Sequence, residues 1–101
     1  MFNLSIKLYD DLAEIANVDV VVVHDTTKRR DWGLIENVRV DEGHRREGIA
    51  SRMMAIAEEA AKQFGCYKVK LTSRKAAGKE LYRKLGYEEG SSFHKDLQGE
   101  E

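Results

Sequence analysis

The sequence predicts a mixed α/β domain, a sheet covered by helices. Three observations carry that reading. Short β-branched or alternating runs, "NLSIKLY", "VDVVVVH" and "WGLIENVRV", fill the chain up to Val40. From Ile49 the apolar residues switch to the i, i+4, i+7 spacing of an amphipathic helix. Beyond Phe64, strand-like and helix-like segments alternate. With 101 residues, the chain is expected to form one domain, 1–101, around one modest core.

The elements follow in order. Leu4, Ile6 and Leu8 alternate in a first strand. "DDLAEIAN" predicts about two helical turns, with Leu12, Ile15 and Ala16 on one face. "VDVVVVH" is a buried strand by its β-branched density, and the polar turn "DTTKRRD" joins it to "WGLIENVRV" as a hairpin. Ile49, Met53, Ile56, Ala57, Ala60, Ala61 and Phe64 mark the inner side of a long helix, which Gly65 caps. "CYKVKLT" turns Tyr67, Val69 and Leu71 to one face and Lys68 and Lys70 to the other. A second helix spans about 75–85 and stops at Gly86. "SSFHKDL" is a last strand, and "QGEE" a frayed acidic end. The predicted order is strand, helix, strand, strand, helix, strand, helix, strand.

Composition narrows the function classes. Hydrophobic residues make up 42% and charged residues 35%, a globular balance. The net charge of −1 supplies no global basic field, so nucleic acid is not an expected partner. The one cysteine, Cys66, excludes an intrachain disulfide and argues against a Cys/His metal knuckle, so no metal is expected. It reads as a small packing residue and fits a reducing, cytoplasmic setting. "MFNLSIKLYDD" lacks the basic-then-apolar pattern of a signal peptide, and the longest apolar run is far too short to span a bilayer. No membrane partner is expected.

The chemistry concentrates in "VRVDEGHRREGIASRM", where a strand hands over to a helix. The first N–H groups of a helix have no intrahelical partner, and the helix dipole adds positive potential there. Gly48 and Ala50 keep side chains out of the way, Arg45, Arg46 and Arg52 offer charge-assisted contacts, and Ser51 offers a hydroxyl. An anion-binding helix start and a plain turn with solvated arginines fit this pattern equally. The spacing is neither a P-loop nor the three-glycine dinucleotide fingerprint.

"IENVRVDEGHRREGIASRMM" resembles the acetyl-coenzyme A motif of the GNAT family of N-acetyltransferases, Arg/Gln-x-x-Gly-x-Gly/Ala after a strand ending Val-x-Val-x. Here it reads Arg45-Arg-Glu-Gly48-Ile-Ala50 after Val38-Arg-Val40-Asp. "GCYKVKLTS", "AAGKELYRKLGYEE" and "SFHKDL" resemble the family's following segments, in order, so the likeness covers about 33–97. It implies a mostly antiparallel sheet splayed between two parallel strands, here 33–40 and 66–72. Pantetheine of the cosubstrate acetyl-CoA would lie in that gap. The pyrophosphate would sit at Arg45, Arg46, Glu47, Gly48, Ile49, Ala50 and Ser51. Val38, Arg39 and Val40 would flank the pantetheine, with a backbone N–H near Val38 as oxyanion donor, and Thr72 and Ser73 would touch it from the other strand.

The same resemblance implies acetyl transfer to a primary amine of a small molecule or peptide. Tyr82 falls where the family often has a general acid for the thiolate. Glu36, on a row with Leu34, Val38 and Val40, falls where some relatives carry the base that deprotonates the amine. A half-buried core tyrosine and a solvated strand carboxylate are the plainer readings of these two residues. His44 reads as a surface residue beside the turn. At Lys75 and Gly78 many relatives carry Asn and Ala. Relatives also carry N-terminal helices that help wall the acceptor site, whereas residues 1–32 offer one short helix. The acceptor site is therefore expected to be open, reduced or completed by a second subunit in a homodimer. That shortening leaves a non-catalytic acyl-CoA-binding or structural module as the alternative.

Overall fold

The computed structural model describes residues 2–45, 47–73, 76–90 and 92–97. Arg46, Lys75 and the "QGEE" end lie outside the described residues. Six strands form one sheet: β1 (Phe2–Asp10), β2 (Ala13–Asp25), β3 (Arg30–Val40), β4 (Cys66–Leu71), β5 (Glu88–Glu89) and β6 (Phe93–Asp96). Two helices flank it, α1 (Ile49–Gln63) and α2 (Ala76–Lys84), and a 3-10 turn at Glu42–His44 leads into α1. The strand order is β1-β2-β3-β4-β6-β5. Among the described strands only β3 and β4 pair in parallel, joined through α1 as a crossover. No described helix is long and apolar enough to cross a membrane.

The short helix expected at "DDLAEIAN" is absent. That segment is a two-residue hairpin turn, Asp11 and Leu12, followed by the start of β2. Asp11 takes the left-handed backbone (φ 58°), which aspartate tolerates, and Leu12 stands 93% exposed at the tip. The register of β1 on β2 then shifts, Leu8 facing Ala16 but Tyr9 facing Glu14, so Ile15 is the extra residue of a bulge. Ile15 and Ala16 are consequently both buried, and two adjacent inward residues mimic a helical face.

The β2–β3 hairpin forms as expected. Its inner face carries Val18, Val20, Val22 and Ile35 against Ile49, Met53, Met54, Ala57 and Ala61 of α1. Gly33 permits that approach: a Cβ there would lie 3.2 Å from Val69 Cγ1 and 3.5 Å from Ala61 Cβ. The inner stripe of α1 differs from its expected one. Met54 is fully buried, while Ile56 and Phe64 are nearly half exposed. Phe64 packs instead against Phe2 of β1, the rings tilted by 50° with centroids 4.7 Å apart.

Two irregularities shape β3. Its pairing with β4 reaches Gly33–Val69 and Leu34–Lys70 and goes no further, although β3 continues to Val40. Its pairing with β2 breaks between Asn17–Arg39 and Asp19–Glu36, where Asn37 adopts φ 55°. This bulge reverses the alternation. Gly33 and Ile35 face the core before it; Val38 and Val40 pack on the core after it. Glu36 therefore does not share a face with Val38 and Val40. It stands exposed on the side of Leu34, away from α1.

Candidate active site

Where β3 leaves β4, a cleft of about 520 Å³ opens between the end of β3, the start of α1 and the near side of α2. Val38, Arg39 and Val40 line it from the strand, Arg45, Gly48, Ile49, Ala50 and Ser51 from the turn and helix start. These eight were all singled out from the sequence. His44, Gly78 and Leu81 complete the lining. Leu81 was missed, and its signal was available: it follows Gly78 at i, i+3 on one face of α2.

The helix start is chemically unusual. Gly48 occupies the N-cap position in a left-handed conformation (φ 75°); among the described residues no side chain caps α1, and no acidic residue lies in its first turn. The first N–H groups thus lie open to water or to an anion at the positive end of the dipole. Arg45 Nε donates to the Val40 carbonyl at 3.2 Å, folding the guanidinium back over the end of β3. His44 links the turn to its surroundings, with Nδ1 3.4 Å from Glu47 Oε1 and Nε2 3.9 Å from Asp10 Oδ2.

Arg39 plays a different part from the other arginine of the cleft. Its guanidinium donates to Glu14 Oε2 at 2.8 Å and to Asp41 Oδ1. Those bonds raise its pKa above the usual value and hold the Glu14 carboxyl below the usual range. Its side chain therefore ties the end of β3 to β2, and Asp41 N donates to the Ile15 carbonyl at 2.8 Å beside it.

Thr72 and Ser73, just past β4, line a neighbouring hollow with Lys79, Glu89, Gly90, Ser92 and Phe93. They meet the main cleft through Gly78: a Cβ on Gly78 would lie 2.5 Å from Ser73 Oγ and 3.7 Å from Tyr82 Cε2. Tyr82 itself is buried, 7% exposed, with its ring 5.9 Å from Tyr87 and 5.8 Å from Phe93. Burial pushes its phenol above the ordinary value. Tyr82 does not itself line the cleft; Gly78, which does, lies between, and the absence of a side chain there leaves only backbone in front of Cε2. Glu36 is on the other face of the sheet, opposite Asp19 of β2. Among the described residues, no three of His, Cys, Asp and Glu converge as metal ligands would.

A family model described as an acetyltransferase (GNAT) domain matches residues 7–89. The chain belongs to the GNAT acetyltransferase family, and the match takes in the end of β1, all of β2 and the segments recognised from the sequence as far as Glu89, short of "SFHKDL". A search of curated proteins finds no match. Among solved structures, the aminoglycoside 6'-N-acetyltransferase of Acinetobacter haemolyticus is 27% identical with a TM-score of 0.73, covering 87% of this chain and 64% of that one. A predicted acetyltransferase of Clostridium acetobutylicum, solved with acetyl-CoA, shares the fold at a TM-score of 0.78 and 22% identity, covering 87% and 59%. The PaiA N-acetyltransferase of Thermoplasma acidophilum, solved with coenzyme A, shares it at 0.75 and 16%, covering 93% and 60%. This chain spans less than two thirds of the length of each.

Proposed function

We propose that the chain is an acyltransferase that moves acetyl from acetyl-CoA to a primary amine of a small molecule or peptide, by direct attack in a ternary complex. One observation carries the reading. The gap where β3 parts from β4 and the start of α1, which has no described side-chain cap and no acid in its first turn, open into one cleft. The split strand offers main-chain groups to an extended pantetheine, and the helix start offers N–H groups to a pyrophosphate.

Placement supports the following roles. Val38, next to the bulge, supplies the backbone N–H that steadies the thioester oxygen as it becomes an oxyanion. Tyr82 protonates the departing thiolate past Gly78, with burial keeping its phenol in the acid form. Glu36, exposed on the far face, takes the proton of an amine arriving from that side. Arg45, Gly48, Ile49, Ala50 and Ser51 bind the pyrophosphate. Release of CoA thiol from acetyl-CoA, followed over a panel of diamines, aminoglycosides and peptides, tests the reading. Amine-dependent release supports it. Tight binding of acetyl-CoA without release from any amine favours the non-catalytic acyl-CoA-binding module instead.

A further inference from the structure

We propose that Asp19 is a positioning residue, a carboxylate on β2 that clamps the β3 bulge and so sets the aim of the Val38 N–H at the thioester. The bulge depends on Asn37, a non-glycine residue held in the left-handed region at φ 55°. Asparagine is among the few residues that visit that region readily, and here its surroundings hold it there. Three side chains do so. Asn37 Nδ2 donates to Asp19 Oδ2 at 2.7 Å, the Ser5 hydroxyl of β1 donates to Asp19 Oδ1, and Asn17 Nδ2 donates to the Asn37 carbonyl at 2.9 Å. Both oxygens of Asp19 are thus engaged, one from each neighbouring strand. The clamp sits where the β2–β3 register breaks, between Asn17–Arg39 and Asp19–Glu36. One residue later, Val38 lines the cleft. Nothing in the clamp touches the cleft itself, so Asp19 acts through Asn37. The inference rests on the acyl-CoA reading above.

The test measures the affinities of acetyl-CoA and of CoA by calorimetry, and the carbon-13 resonance of bound acetyl-CoA labelled at its carbonyl. A hydrogen bond to that carbonyl moves the resonance downfield and gives acetyl-CoA its advantage over CoA. Asp19→Ala removes both acceptors, leaving Asn37 Nδ2 and the Ser5 hydroxyl without their carboxylate. In this variant, CoA affinity should stay within about twofold, while the preference for acetyl-CoA falls several-fold and the resonance returns toward its free position. A simple loss of stability would lower both affinities together. Asn37→Gly keeps the left-handed angle without the side chain. Adding Asp19→Ala to it should change neither readout further. A folded Asp19→Ala protein with wild-type preference and resonance overturns the proposal, as does a full additional effect in the Asn37→Gly background. A wild-type chain that binds neither molecule overturns the acyl-CoA reading and this proposal with it.

Discussion

Gly48 opens α1 at a φ of 75° with no atom within 4 Å of where a Cβ would stand. Its side of the helix start is empty space, and space at a positive dipole end is what an anion requires. Tyr82 is the opposite kind of residue, enclosed on most sides by Tyr87, Phe93 and Gly78. Because burial raises its pKa, the phenol remains protonated through neutral and mildly alkaline pH. Activity that needs the protonated phenol should persist past the pH at which a free phenol ionises, and Tyr82→Phe should remove the limb beyond it. The same variant should lower kcat by about 10²-fold with acetyl-CoA affinity nearly intact. Steady-state kinetics against pH check both. Glu36→Gln should lower kcat and leave the KM for acetyl-CoA alone, since an exposed base on the far face does not touch the cosubstrate. A wild-type kcat in Glu36→Gln would remove Glu36 from the mechanism.

At the scale of elements, Gly78 in α2 sets a packing conflict against helix propensity. Alanine in a helix interior is favoured over glycine by about 1 kcal/mol. A Cβ there would nevertheless press on Ser73 Oγ. Gly78→Ala should therefore lower the melting temperature and raise the KM for acetyl-CoA, and in a Ser73→Ala background the same change should become stabilising. Thermal melts of the four proteins decide it. A second junction ties α1 to the end of the sheet. Glu58, its side chain 16% exposed, accepts from Tyr87 Oη at 2.7 Å and from Lys95 Nζ at 3.1 Å, and Lys95 also donates to the Leu85 carbonyl at 2.8 Å. Glu58→Ala leaves the buried Tyr87 hydroxyl without its acceptor and Lys95 with one acceptor fewer, and should cost about 1–3 kcal/mol in urea unfolding. The sequence made α1, β4 and the helix-start turn legible because spacing and glycine placement act locally. The bulges at Ile15 and Asn37 were not legible. Each is set by pairing with a neighbouring strand, and each shifts the alternation on which strand reading relies. The "DDLAEIAN" helix and the face of Glu36 were misread for this one reason.

For the whole molecule, the sheet divides the work. α1 and the cleft occupy one side, and Glu36, Leu34 and Asp19 look out from the other. The cleft was legible in the sequence almost residue by residue, because the turn that builds it is contiguous. Gly78 and Leu81 arrive from a distant helix, and of the two the sequence singled out only Gly78. The central claim is that the start of α1 holds the pyrophosphate of acetyl-CoA. The direct measurement is calorimetric titration of acetyl-CoA into the wild-type chain, Gly48→Gln and Gly48→Glu. Both substitutions carry the same backbone strain and nearly the same bulk, so they differ in one negative charge. A pyrophosphate at the helix start predicts that Gly48→Glu binds at least about tenfold more weakly than Gly48→Gln, equivalent to about 1.4 kcal/mol. Equal affinities in two folded variants would contradict the account and move the anion elsewhere.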